Sequence, residues 1–160
     1  THPQFMALLQ KLLDAIGVDA QLSMPYRFKT KGEMLVQCAD QSLLTSYACD
    51  TTSCGRFRTY NRTHCGRCVP CMVRKAAIHR WGLSDTTRYK FSALSGAGKT
   101  SADDPMAVAC AVLAAEQRGI DSFLGATLAF ASDADRPHYR RVAEQGLAEL
   151  AALLRRDGVL

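Results

Sequence analysis

Phe5, Leu8, Leu9, Leu12, Leu13 and Ile16 recur every three or four residues, the period of a helix with one apolar face. Pro3 suits its first turn and Gly17 its stop, so a helix with a buried face is expected there. Residues 20–26, "AQLSMPY", alternate loosely and reach Pro25, which predicts a short strand. Thr30 and Glu33 stand in the S/T-x-x-E relation of a capping box, followed by the apolar Met34, Leu35 and Cys38; a helix should begin at Thr30. In "VPCMVRKAAIHRWG" (69–82), Pro70 takes an early helical position and Gly82 follows the end. Asp103 or Asp104 before Pro105 opens a further helix, and "IDSFLGATLAFA" (120–131) is apolar nearly all round, as a central helix would be. Tyr139, Val142, Ala143, Leu147, Leu150 and Leu154 line one face of a long helix from about 136 to 156.

The expected fold is therefore mainly α, with helices around a metal-binding knuckle and at most one or two short strands. Residues 92–104, "SALSGAGKTSADD", are rich in Gly and Ser and read as a connector. It separates residues 1–91, with a metal module over 50–82, from a helical C-terminal extension over 105–160. A composition of 48% hydrophobic and 22% charged residues in a 160-residue chain suits a globular protein with a real core rather than a disordered one. No run approaches the roughly 18 apolar residues of a membrane span, and Gln, Lys and Asp interrupt the N-terminal apolar pattern, unlike a signal peptide. The chain opens at Thr1 with no Met before Met6 and reads as a piece of something longer.

Cysteine usage narrows the picture. The count is seven, an odd number, and Cys54, Cys65, Cys68 and Cys71 form C-x10-C-x2-C-x2-C. Such spacing fits metal ligation in a reducing compartment better than a disulfide framework, and a cytoplasmic location is expected. Zinc takes four sulfur ligands at tetrahedral corners; C-x2-C supplies adjacent corners from one turn, and four thiolates leave no open position, which makes the site structural. Cys49, His64 and His79 are substitute ligands by type, whereas Cys38 and Cys110 fall on apolar helical faces and read as core. Residues 50–90 hold nine Lys and Arg against two Asp, so the chain's net charge of +5 gathers around the cysteines. Arg74 and Lys75, one turn after Cys71, would offset thiolate charge.

"ALSGAGKT" (93–100) fits a relaxed phosphate-loop pattern through Gly98, Lys99 and Thr100. The preceding "TRYKFS" is a poor buried strand and the next helix signal waits until Pro105, so a connector is the better reading.

Three motifs in order then resemble the C-terminal portion of the 7-cyano-7-deazaguanine synthases (QueC-like enzymes). They are Pro25, Lys29, Thr30, Lys31 and Glu33; the four cysteines with Gly66; and Arg74, Ala77, Gly82, Asp85 and Tyr89. The resemblance covers residues 25–90. The long gap after Cys54, Ile78 after Ala77 and about seventy residues beyond Tyr89 depart from the typical pattern and resemble the divergent branch found in antiphage operons. The resemblance implies the C-terminal part of an α/β adenine nucleotide hydrolase-like (PP-loop) fold, structural Zn²⁺ on Cys54, Cys65, Cys68 and Cys71, and ATP-dependent carbon–nitrogen ligation. That reaction turns a 7-carboxy-7-deazaguanine-type carboxylate, with ammonia, into an amide and then a nitrile, a step in queuosine biosynthesis. It also implies that Lys29, Lys31 and Arg74 meet substrate or nucleotide. The family's S-G-G-x-D-S ATP loop does not occur in this sequence, so the expected partner is a missing N-terminal half or a same-protein subunit, and no catalytic residue is assigned here.

Two other classes stay open. The arginines at 56, 58, 62 and 67, with Tyr60, could let the zinc module contact nucleic acid, although no finger-type recognition helix is present. The module could equally dock an acidic protein partner without catalysis.

Overall fold

A computed structural model describes residues 2–96 and 104–160. Among these residues the fold is almost wholly helical. The elements are α1 (Pro3–Ala15), α2 (Lys31–Val36), α3 (Gln41–Tyr47), α4 (Val69–Trp81), α5 (Asp104–Arg118), α6 (Ile120–Leu124) and α7 (Arg136–Arg156), with 3-10 turns at Ala48–Asp50 and Gly125–Leu128. None of these helices is long and apolar enough to cross a membrane. β-structure among the described residues is a single parallel bridge between His64 and Tyr89.

α4 is the hub. Met72 and Ala76 on α4 meet Val108, Ala109 and Val112 of α5, Ala151, Leu153 and Leu154 of α7, and Leu94 in one buried cluster. The core thus joins residues on both sides of the 92–104 segment. Gly82 ends α4 in the left-handed conformation at φ 85°, as the C-cap role requires. Asp104, expected to cap its own helix, has its carboxylate turned to the start of α4, where it accepts from the Val69 amide at 3.2 Å. Asp103, Gly98, Lys99 and Thr100 lie outside the described residues.

The capping box at Thr30 and Glu33 forms in both directions. Sequence reading did not foresee the network built over it. Thr30 Oγ1 donates to Glu149 of α7, Arg80 of α4 donates to the same carboxylate oxygen at 2.6 Å, and Arg141 of α7 donates to Glu33 at 2.6 Å. Gly32 makes this approach possible: a Cβ there would stand 2.6 Å from Arg80 Cδ and 2.7 Å from Glu149 Oε2.

Four expectations are corrected. No strand forms at residues 20–26: the Leu22 amide donates to the Gln10 side chain, and that side chain donates to Ala20 O, so α1 satisfies the backbone that a neighbouring strand would have paired. The expected central helix over 120–131 is broken at Gly125 (φ 47°) and is mostly exposed. α1 forms, but it buries no residue fully and leaves Phe5, Leu8, Leu12 and Ile16 at 55%, 59%, 55% and 63% exposure. Cys38 is only half-buried and Cys110 is exposed, because α5 turns Val108, Ala109 and Val112 inward and Cys110 lies off that face. α3, with Asp40 accepting from the Leu43 amide at its start, had no expectation attached to it.

Candidate metal centre

Cys54, Cys65, Cys68 and Cys71 converge and are all buried, with their sulfurs within 4.8 Å of one another. The Cys65–Cys71 and Cys54–Cys68 pairs stand at 3.9 Å, far from the roughly 2.05 Å of a disulfide. A tetrahedral ion with Zn–S bonds of about 2.3 Å needs sulfurs about 3.8 Å apart, which these two pairs match, with all four sulfurs within 4.8 Å. The donor set therefore fits Zn²⁺.

Local sequence builds the cluster in two pieces. Gly66 turns the Cys65–Cys68 segment at φ 85°, and a Cβ on it would lie 2.1 Å from Phe91 O, so that position needs glycine for conformation and for space. Behind the turn, Lys90 N donates to His64 O at 2.8 Å and Phe91 N to Cys65 O at 3.1 Å, which clamps the knuckle onto the 89–91 segment. Pro70 starts α4 so that Cys71 sits in its first turn. Cys54 arrives from the far end of the loop and accepts the amide hydrogens of Arg56 (3.3 Å) and Cys65 (3.2 Å), while Cys65 accepts that of Cys68 at 3.2 Å. Phe57, Tyr60 and Tyr89 pack over the sulfurs and keep water away.

The electrostatics suit thiolate ligation. Burial pushes the Cys65 thiol up, but the amides of Arg67 and Cys68 outweigh it and hold its pKa below the ordinary value. Cys71, deepest in the cluster, is pushed well up by burial, so a metal ion is what would draw off its proton. Of the substitute ligands, only His64 lies near, with Nδ1 4.0 Å from Cys71 Sγ. His79 is exposed near the end of α4, and Cys49, whose pKa the Thr86 and Thr87 hydrogen bonds lower against its burial, stands outside the four.

Arg74 and Lys75 are buried. Arg74 donates to Thr87 Oγ1, Thr51 Oγ1 and Ala48 O, and the last of these is 2.6 Å away. It ties α4 to the chain before and after the knuckle. Lys75 donates to Ser92 O at 2.8 Å and lies 4.5 Å over the Tyr89 ring; burial lowers its pKa. The four arginines of the cysteine loop divide. Arg67 is buried and donates to Ala93 O and Leu94 O, and Arg56 pairs with Asp104 at 3.3 Å, whereas Arg58 and Arg62 are exposed.

A cavity of about 350 Å³ opens beside the knuckle, between α2, α4 and residues 51–53. Met34, Leu35, Leu44, Ala77 and Ile78 give it apolar walls, and Lys31, Arg74 and Ser53 give it polar ones. Ser53 Oγ is buried there with no hydrogen-bond partner among the described residues. Lys31 and Arg74 therefore meet at one site. Lys29 does not line it; it is half-buried, its ammonium 5.8 Å from the centre of the Tyr26 ring.

No family model matches the chain, and no solved structure matches it. Over 92 residues it is 32% identical to a 7-cyano-7-deazaguanine synthase of Paracoccus denitrificans (strain Pd 1222). The match covers 56% of this chain and 37% of that protein, so the chain spans little more than a third of the relative it matches. The similarity supports a distant relationship to a synthase of that kind.

Proposed function

We propose that this chain is the zinc-bearing C-terminal part of an ATP-dependent carbon–nitrogen ligase acting on a 7-deazapurine carboxylate. The observation that carries this reading is the cavity at Lys31 and Arg74, built against a four-cysteine cluster and lying in a chain similar to the synthase. Its volume is in the range of small-molecule sites, and its apolar walls with a cationic end suit a flat heterocycle bearing an anionic group.

In this reading the structural Zn²⁺ holds Cys54 to the first turn of α4 and thereby fixes the 51–53 wall of the cavity; it takes no chemical step. Hydroxide is a poor leaving group from a carboxylate, and adenylation replaces it with a good one: the carboxylate oxygen attacks the α-phosphorus of ATP and pyrophosphate departs. Ammonia then displaces AMP to form the amide, and a second activation of the amide oxygen permits dehydration to the nitrile. Lys31 makes no ion pair among the described residues and is free to meet carboxylate or phosphate. Arg74, held by Thr51, Thr87 and Ala48, supplies fixed positive charge rather than a mobile clamp. Lys29, which does not line the cavity, is kept in this reading as a second cation for phosphate or carboxylate. The loop that holds the triphosphate belongs to an N-terminal half or a partner subunit, since positioning within about 3.5 Å of the reacting phosphorus supplies much of the rate.

The test joins this chain to its ATP-binding half and follows pyrophosphate release. Release beyond one equivalent per site should require both the deazapurine carboxylate and ammonia, and Lys31→Ala should lower turnover at unchanged zinc content. Substrate-dependent ATP consumption by residues 1–160 alone would refute the divided site.

A further inference from the structure

We propose that the outer face of the metal knuckle binds the phosphate backbone of duplex DNA through Arg58, Arg62, Arg88 and Lys90. This inference does not rest on the ligase reading.

The parallel bridge between His64 and Tyr89, with the Lys90 amide on His64 O, runs residues 88–90 alongside 63–65. Two stretches of the chain thus bring Arg88 and Lys90 to the base of the loop that carries Arg58 and Arg62. All four side chains are exposed, and none makes an ion pair among the described residues. The carboxylate nearest in sequence to Arg88 is engaged: Asp85 accepts from the Tyr89 hydroxyl at 2.8 Å and from the Thr87 amide. The other basic residues of the region are used within the fold, Arg67 and Arg74 on backbone carbonyls and Arg56 on Asp104. What remains is a set of cations with no work inside the protein.

The tip itself is held in a costly shape. Asn61 and Arg62 are the two non-glycine residues with positive φ among the described ones, at 49° and 57°. Asparagine tolerates that region, but arginine there is strained. The Arg62 amide bonds back to Phe57 O at 2.9 Å, closing the turn around Arg62.

The chemistry points to phosphate rather than to a protein or an unstacked base. A protein interface would need apolar anchors at its centre, and a single-strand site would need displayed rings. Here Phe57, Tyr60 and Tyr89 are packed on the cysteines. Guanidinium forks match phosphate oxygens in pairs. The roughly 12 Å major groove of B-DNA admits a protein element between its phosphate rows, whereas the major groove of duplex RNA is too deep and narrow to enter.

The experiment is fluorescence anisotropy of the zinc-loaded full chain with a labelled 24-base-pair mixed-sequence DNA duplex, from 50 to 200 mM KCl. Three to four phosphate contacts predict a loss of affinity of about 40- to 150-fold across that range. Arg62→Gln and Arg88→Gln should each flatten the salt slope by about 1, with zinc content and circular dichroism unchanged. Arg140→Gln, on a cation near the start of α7 that pairs with Asp121, should leave the slope alone. The proposal is overturned by any of four results: no binding at 50 mM, equal flattening by Arg140→Gln, equal or tighter binding of a single strand or duplex RNA, or equal binding of a polyglutamate peptide of the same charge.

Discussion

Between Cys71 and Met72, neighbours on α4, the means of stabilisation changes. Cys71 faces a cluster whose apolar cover is three aromatic rings and whose sulfurs accept from backbone amides. Met72 faces Leu, Val and Ala side chains from α5 and α7, where burial of apolar surface supplies the driving force. One region is specified by ligand count and the other by volume. The shared helix couples them in one direction: a knuckle that opens releases the start of α4, and with it the helix that carries Met72 and Ala76 into the core.

The sharpest way to break this comparison is to remove the metal side. The chain should carry about one tightly held zinc, and Cys68→Ser with Cys71→Ser should abolish it, as metal analysis will read. A structural zinc contributes about 10–16 kcal/mol of apparent binding free energy, so chelation should lower the melting temperature more than any single core change. If the chelated protein keeps its full melting temperature, α4 does not couple the two regions.

A smaller effect is expected from the volume side. Leu153 is fully buried, and Leu153→Ala should cost about 2–5 kcal/mol in urea unfolding while leaving zinc stoichiometry intact. Loss of zinc from the folded variant would show that the core fixes the knuckle's geometry, and the division would fail.

The smallest effect sharpens a third contact, α2 against α7. The Arg141 guanidinium on Glu33 holds its carboxyl below the ordinary 4.5, against the opposing pull of burial. Stability from this pair is present above the ordinary carboxylate pKa and is lost as pH falls through the lowered one. Glu33→Gln should therefore lower the urea midpoint at pH 6, and its deficit relative to the parent should shrink toward pH 3. A deficit that stays constant across that range would assign Glu33 a packing role alone.

Much of this architecture is legible along the chain wherever a cap coincides with a period. Thr30 and Glu33, Pro70 and Gly82, and the α7 stripe all mark elements that form, and the four cysteines meet as their spacing demands. Periodicity says that α1 has an apolar face but not that the face finds a partner, and Phe5, Leu8, Leu12 and Ile16 stay exposed. In sequence Arg74 and Lys75 read as partners of the thiolates and Arg67 as a nucleic-acid contact. Carbonyls at Ala48, Ser92, Ala93 and Leu94 accept from them inside the fold, and such backbone partners leave no mark in a residue pattern. Glu149 was missed for a related reason. Its one sequence signal is indirect, a glycine at position 32 in the first turn of a helix, where close approach is the reason to avoid a side chain. The 120–131 segment misled because its composition is apolar while Gly119 and Gly125, at positive φ, interrupt it.

The Thr30–Glu149 contact joins residues 119 apart in the chain, whereas the Cys65–Cys71 pair spans only 6. By loop-closure entropy that ratio makes the first contact about 2.6 kcal/mol more costly to bring together from an open chain. Gly32 reduces the cost at its far end by letting α2 seat against Arg80 and Glu149 without displacing either. On these separations alone, closure at the cysteines is the less costly event, and the seating of α2 on α7 is the contact that depends most on the rest of the chain being in place.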